Sequence, residues 1–334
     1  MAEQTLPLQT LHELIRRILI HHDTSPDNAE CVARALVAAE ADGQKGHGAS
    51  RVPAYAAQAR SRKVDGDAVP VLSELSASAA LVDARDGFAF PAIEMAQAAL
   101  LRGLSRNPVA AVAIRNSHHS GVAAHHVEAI ARAGYIGISM SNTPQAIAPW
   151  GGTRGLFGTN PLAFAAPREQ HPPLVIDMSL SKVARGRISV AAQAGEPIPP
   201  DWAFDAEGRP TADPQAAMDG TMAPMGDAKG AQLVLMVEIL AAALSASSFG
   251  FEASSYFTAE GDPPRAGQLL IGLDPAPFSS GAFGARLETL LAAILAQPGT
   301  RLPGDRRLAL RARAELDGVS LPETLYQTLQ SLAA

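Results

Sequence analysis

An alternation that begins near Ala79 constrains this chain most: from there on, short apolar runs take turns with segments of helical period. The runs cover 80–82, 109–114, 136–139, 162–165, 174–176 and 269–273, and the helical segments include 90–101, a stretch ending at Ala133, 231–244 and 282–295. Apolar runs this short suit buried strands, and strands interleaved with helices pack as an α/β layered core. The first 78 residues differ. Leu8, Leu11, Leu14, Ile15 and Ile18 repeat with helical period, and a second helix is expected from Ser25 as N-cap and Pro26 at its first position to a stop at Gly43. The chain thus divides into a helical segment over 1–78, an α/β core over 79–300, and a closing segment over 301–334 that packs back on the core, with a helix over 321–332. Residues 195–230, rich in Pro, Gly, Asp and Met, read as a long irregular excursion of the binding or interface kind.

With 334 residues, 47% of them hydrophobic and 18% charged, the chain can bury a large core. A net charge of −6 offers no basic footprint, so neither nucleic acid nor an anionic membrane is expected as a partner. Cys31 is the single cysteine, which forbids an internal disulfide and suits a reducing cytoplasm. Residues 1–9 lack a basic region followed by an apolar core, so no secretory signal is expected. The stretch 233–244 carries Glu238 and is too short to span a bilayer.

The chemistry is sought in the run Asn116, Ser117, His118, His119, Ser120, Gly121, at the junction of an expected strand and an expected helix. An imidazole there sits on a rigid scaffold while remaining open to a ligand, which suits proton transfer near neutral pH. No Gly-x-Gly-x-x-Gly follows the first strand, and Gly151, Gly152, Gly155 and Gly158 have the wrong spacing for a phosphate loop. The histidine pairs at 118–119 and 125–126, with Glu128, match no standard zinc spacing, and no metal site is expected. Arg51 and Tyr55 fall on one face if a helix begins after Gly48, where an Arg fork and a phenol would suit a carboxylate. Lys229 and Gly230 open the helix after the long loop, a place able to hold phosphate, and Asp177 ends an apolar strand.

Taken together, ordered pieces along nearly the full chain resemble the type-2 malate/L-lactate dehydrogenase family of NAD(P)-dependent oxidoreductases. They are Gly46-His47-Gly48 with Arg51 and Tyr55, Lys63-Val64-Asp65-Gly66, Asn116-Ser117-His118-His119, Phe157-Gly158-Thr159-Asn160-Pro161, Ile176-Asp177-Met178, Lys229-Gly230 and Leu302-Pro303-Gly304-Asp305. The family also contains ureidoglycolate and sulfolactate dehydrogenases and the piperideine- and pyrroline-2-carboxylate reductases. The resemblance implies a non-Rossmann α/β fold, with a mixed sheet flanked by helices and a helical N-terminal part, and a homodimer with sites near the subunit interface.

By position, the resemblance makes His119 the acid/base, with His47 and Asp177 beside it as catalytic residues and Arg51 and Tyr55 around the substrate. Thr143, Asp177, Met178, Ser179, Lys229, Gly304 and Asp305 match positions near NAD or NADP. The implied activity moves a hydride between nicotinamide and a small 2-hydroxy or 2-oxo carboxylate, such as malate, lactate or sulfolactate. The alternative within the family is reduction of a cyclic 2-imino acid. An alternative of another class is a catalytically silent member that binds a carboxylate or the dinucleotide, and a metal-dependent hydrolase ranks third. The chain departs from the common family pattern at Gly46, where Ser is frequent, at Ser120, at Ser179-Leu180-Ser181 and at Asp227-Ala228.

Overall fold

The computed structural model describes residues 2–334. The chain opens with β1 (Glu3–Leu6), α1 (Leu8–His21), α2 (Pro26–Ala41) and α3 (Val52–Arg60). The expected start of α2 is met, for Ser25 Oγ accepts from Asn28 N–H and Pro26 takes the first turn. Leu11, Ile15 and Ile18 of α1 are buried with Leu36 of α2 and Tyr55 of α3 in one cluster.

Next come β2 (Val71–Ser76), β3 (Ala79–Asp83), α4 (Ala89–Leu104), β4 (Val109–Ser117), α5 (Ala123–Arg132), β5 (Ile136–Ser141), β6 (Leu162–Ala166) and β7 (Leu174–Met178). After α6 (Arg185–Ala194) the excursion holds short elements of its own: β8 (Ala203–Phe204), α7 (Pro214–Asp219) and β9 (Thr221–Met222), with β8 and β9 paired. Then follow α8 (Asp227–Glu238), β10 (Ala266–Leu273), α9 (Pro275–Ser279), α10 (Phe283–Leu295), α11 (Asp305–Asp317), β11 (Val319–Pro322) and α12 (Glu323–Leu332). The helix expected over 231–244 starts earlier, because Gly226 in a left-handed conformation (φ 66°) turns the chain into α8, and it ends in a π-helical turn at Ile239–Ala243.

Seven strands form one mixed sheet in the order β2-β3-β4-β10-β5-β6-β7. Among the described residues β3–β4 is its one parallel pair; the other neighbours run antiparallel. Side chains alternate across the strands, so Leu270 of β10 packs with Ile93 and Leu100 of α4, while Ile271 lies with Val234 and Val237 of α8. The closing segment reaches the first one: β11 pairs antiparallel with β1, and Leu329 of α12 joins the cluster of α1.

Register fixes where function can gather. Ser117 at the end of β4 faces Ala266 at the start of β10, Ser141 at the end of β5 faces Gln268, and Met178 at the end of β7 faces Leu162. The carboxyl ends of β4, β5 and β7 therefore share one edge of the sheet. Loops leaving such an edge are the usual place for ligand sites in α/β proteins.

Candidate active site

His118 and His119 follow β4 directly at that edge, and both are buried, at 1% and 7% exposure. The His119 Nδ1 is 2.6 Å from Tyr55 Oη, a contact in which either atom can be the donor. Its ring stacks on His47 with centroids 5.1 Å apart and planes inclined by 29°. His47 and Arg51 arrive on two successive 3-10 turns, Lys45–His47 and Ala49–Arg51, and Tyr55 follows in α3. These turns are tight because Gly48 lies against Glu40: a Cβ there would be 2.5 Å from Glu40 Oε1, which accepts the Ala49 N–H at 2.8 Å. Arg51 and Tyr55 do meet at one site, but Arg51 donates from Nε to Gly46 O at 2.7 Å, so a side-on carboxylate fork through Nε is closed.

The electrostatics favour neutral imidazoles. Burial and then the Arg51 charge push the His119 ring well below its ordinary range, His47 down to about 4 and His118 down to about 3. Burial raises the Tyr55 and Tyr256 phenols, so both stay protonated. Several buried polar atoms here have no partner within the chain: His47 Nδ1, Arg51 Nη1, both His118 nitrogens and Tyr256 Oη. Buried donors are paired as a rule, so their convergence marks a place built for a ligand.

A second group of residues lies along the same edge. Thr143 Oγ1 accepts from Thr159 N–H at 3.0 Å, Thr159 O accepts from Leu180 N–H at 2.8 Å, and Leu180 O accepts from Met225 N–H at 2.8 Å. This chain of bonds joins Thr143 to the Ser179 segment and to the start of α8, where Lys229 is exposed. Gly304 (φ 91°) stands at the start of α11 against Val175 of β7, two residues before Asp177. Neither α8 nor α11 has a side-chain cap at its first turn, so both present free amides. Uncapped amides, Lys229 and Ser179 suit the phosphates of a dinucleotide. Asp177 Oδ2 accepts from Ala124 N–H at 2.8 Å, and crowding by the surrounding protein atoms raises its carboxyl above the ordinary range. Asp177 makes no hydrogen bond to an imidazole within the chain; its carboxylate holds the first turn of α5.

The Phe157–Pro161 piece is scaffold. A Cβ at Gly158 would lie 2.3 Å from Thr143 O, and Asn160 Nδ2 donates to Glu238 Oε2 at 2.7 Å, tying the loop to α8. Gly230 is likewise a packing residue, with Met225 O at 1.5 Å from any Cβ. The 125–126 pair diverges as its helical spacing requires: His125 Nε2 meets Asp42 Oδ2 at 2.7 Å and His126 Nε2 meets Ser120 O at 2.8 Å. Among the described residues no group of three His, Cys, Asp or Glu is gathered in a metal-binding arrangement. Two further side chains reach the site without any motif to point to them: Tyr256, whose ring centroid is 5.3 Å from that of His119, and Phe257, which covers the Arg51 guanidinium at 4.4 Å. The one available signal for Tyr256 was rarity, since the chain has only four tyrosines.

The family model for malate/L-lactate dehydrogenase matches residues 6–330. The chain belongs to that family. It is 53% identical over 305 residues to the (2R)-3-sulfolactate dehydrogenase (NADP(+)) of Chromohalobacter salexigens, with 91% of each chain covered. It is 39% identical to the Δ1-pyrroline-2-carboxylate/Δ1-piperideine-2-carboxylate reductase of Pseudomonas syringae pv. tomato, covering 99% of this chain and 96% of that one. The crystal structure of the Δ1-piperideine-2-carboxylate reductase from the same organism superposes with a TM-score of 0.93 at 38% identity, covering 98% of this chain and 99% of that one. The sulfolactate dehydrogenase of Methanocaldococcus jannaschii gives 0.91 at 26% identity, covering 98% of this chain and 96% of that one. This malate/L-lactate dehydrogenase family member is thus an NAD(P)-dependent oxidoreductase on the family's non-Rossmann α/β fold, which accounts for the missing glycine fingerprint.

Proposed function

We propose that this enzyme transfers a hydride between C2 of a small 2-hydroxy or 2-oxo carboxylate and a nicotinamide dinucleotide, with a sulfolactate-like acid as the first substrate to test. The observation that carries this is His119, anchored at Nδ1 by Tyr55 while its Nε2 stays unbonded, beside Arg51 with a buried unpaired Nη1. The 53% identity to a sulfolactate dehydrogenase supports the substrate choice. The dinucleotide accepts or returns the hydride. In oxidation, His119 donates Nδ1–H to Tyr55, so the Nε2 lone pair takes the hydroxyl proton; in reduction the imidazolium returns it to the new hydroxyl. His47, stacked on His119, hydrogen-bonds the reacting oxygen. A bound carboxylate offsets the Arg51 charge that depresses the His119 ring, so substrate itself eases the proton on.

Thr143, Asp177, Met178, Ser179, Lys229, Gly304 and Asp305 form the proposed dinucleotide side, with NADP the first choice. The three segments 1–78, 79–300 and 301–334 then have separate duties: substrate contacts, the sheet edge with the dinucleotide, and closure. We further propose a homodimer. Leu235 and Met236 of α8 (each 43% exposed), Ile239 (51%) and Leu244 (60%) make an apolar face too continuous for a solvated helix, and a second copy would cover it. Ile239→Glu should halve the mass in solution; an unchanged mass would move the interface elsewhere. The proposed compartment is the cytoplasm, where the lone buried thiol of Cys31 is at home.

The substrate test is a panel of sulfopyruvate, oxaloacetate, pyruvate and the two cyclic imines, each with NADPH and NADH, followed by nicotinamide absorbance. Sulfopyruvate with NADPH should be turned over fastest. Faster turnover of piperideine- or pyrroline-2-carboxylate would replace this assignment with the imine reductase, for which the 39% identical relative speaks.

A further inference from the structure

The turn over residues 255–260 is gripped from one side by the end of α3 and the residues just after it. Lys63, 2% exposed, donates from Nζ to Ser255 O (2.7 Å), Thr258 O (3.0 Å) and Glu260 O (2.7 Å). Gln58 Nε2 adds a bond to Thr258 O at 2.9 Å, and Ser61 Oγ one to Ala259 O at 2.9 Å. Five hydrogen bonds thus fix this turn to the end of the helix that carries Tyr55 and to the residues directly after it. A lysine ammonium sealed among three carbonyls is an expensive way to hold a surface loop, so the loop's own side chains need to be held in place.

Two of them reach the site. Phe257 lies over the Arg51 guanidinium at 4.4 Å. Tyr256, 5% exposed, packs edge-on against His118 (5.2 Å) and His119 (5.3 Å), and its hydroxyl has no partner in the chain. The neighbouring Arg51 Nη1 is also buried without a partner, while Arg51 Nε is committed to Gly46 O. Two orphaned donors from two elements therefore converge beside His119. A carboxylate has two oxygens to meet them.

We propose that Tyr256 is a substrate-binding residue, whose hydroxyl donates to one oxygen of the acid's carboxylate while Arg51 Nη1 donates to the other. This rests on the carboxylate reading of the site given above. It makes the anion clamp a composite of the N-terminal segment and the loop before β10, with Lys63 as the positioning residue.

The variant is Tyr256→Phe, which keeps the ring and its packing and removes only the hydroxyl. Oxalate, a stable mimic of a 2-oxo acid, serves as probe for calorimetric binding to the NADPH-loaded protein. The loss of a hydrogen bond to a charged group should weaken oxalate by roughly tenfold to a hundredfold. For the best acid of the panel, KM should rise by a similar factor while kcat changes by less than about threefold, since uniform binding is what has been removed. Oxalate affinity within twofold of wild type would overturn the assignment, as would wild-type protein that binds no oxalate. A fall in kcat at constant KM would also overturn it, placing the hydroxyl on the reacting oxygen instead. Oxalate binding that depends on Tyr256, in a protein that turns over none of the panel, would uphold the clamp and remove the proposed function.

Discussion

The molecule holds two buried clusters of histidine, arginine and their partners, and they differ in one respect. In the first, Asp42 accepts from His125 (2.7 Å), Arg307 (2.8 Å) and Arg311 (2.7 Å), and Glu128 accepts from Arg307 (2.5 Å) and Arg311 (2.8 Å). These charges join α2, α5 and α11 in a knot that has no orphaned atom. In the second, His47, Arg51, His118 and Tyr256 leave buried donors and acceptors unmet. Both clusters are costly to bury, and only the first is complete within the chain. The residues that matter for chemistry are therefore distinguished by what they lack. Type and burial alone would have put Arg307 and His125 in the active site.

The largest effect expected of this contrast is on the open side. His119→Ala should lower kcat by about two to four orders of magnitude with dinucleotide affinity nearly intact, measured by turnover and by NADPH titration. Near-normal turnover would hand the proton to His47. On the closed side, Glu128→Ala leaves Arg307 and Arg311 short of a partner and should cost about 3–5 kcal/mol of stability in a urea titration. KM of the surviving enzyme should barely move. A loss of substrate affinity with unchanged stability would break the comparison, for it would make the knot part of the site.

Arg51→Lys separates the sides more finely. A lysine cannot give Gly46 O and a carboxylate oxygen planar donors at once, so KM should rise about tenfold while thermal stability stays close to wild type. An unchanged KM would move the carboxylate to another cation. The effect is smaller than that of His119→Ala because a charge remains in place.

The alternation of apolar runs made six of the seven strands of the large sheet and their flanking helices legible, and Ser25, Pro26 and Gly43 did the same for α2; the edge strand β2 lies inside the segment read as helical and was not legible. Asp177 was legible as a strand end, and His119 as an imidazole after β4. What was not legible rests on long-range pairing. Asp42 and Arg307 meet across 265 positions, and Tyr256 reaches His119 from an irregular loop with no period to read. Nor does sequence say which polar atoms stay unpaired. Lys63 appeared only as part of a family piece, and its grip on 255–260 explains it: Lys63→Met should free that turn to proteolysis and raise KM, and an equally resistant turn would contradict the grip.

The smallest expected effect concerns acid, where the two clusters should fail in different windows. Burial, then nearby positive charge, lowers His47 to about 4 and His118 to about 3, so the unfolded chain binds protons at higher pH than the folded one. Stability from these rings is full above the ordinary histidine range and declines as pH falls from about 6.5 toward those values, by about 1.4 kcal/mol per pH unit for each proton. In the knot, burial alone would raise the carboxyls, but bonds from Arg311 and Arg307 hold Glu128 down to about 2, and bonds from His125 and both arginines hold Asp42 lower still. That contribution is intact above the ordinary carboxylate range and is lost only as pH falls through about 2. His118→Phe tests the division. Its ring lies among Tyr55, Phe88 and Tyr256 and neither nitrogen is bonded, so phenylalanine fits the packing and removes one titrating group. Urea midpoints between pH 6.5 and 3 should then fall less steeply by about one proton, with the decline below pH 3 unchanged. An unaltered slope in the upper window would mean that His118 is already paired, through a bound water or a proton shared with its neighbours, and that the open cluster is less open than its orphaned atoms indicate.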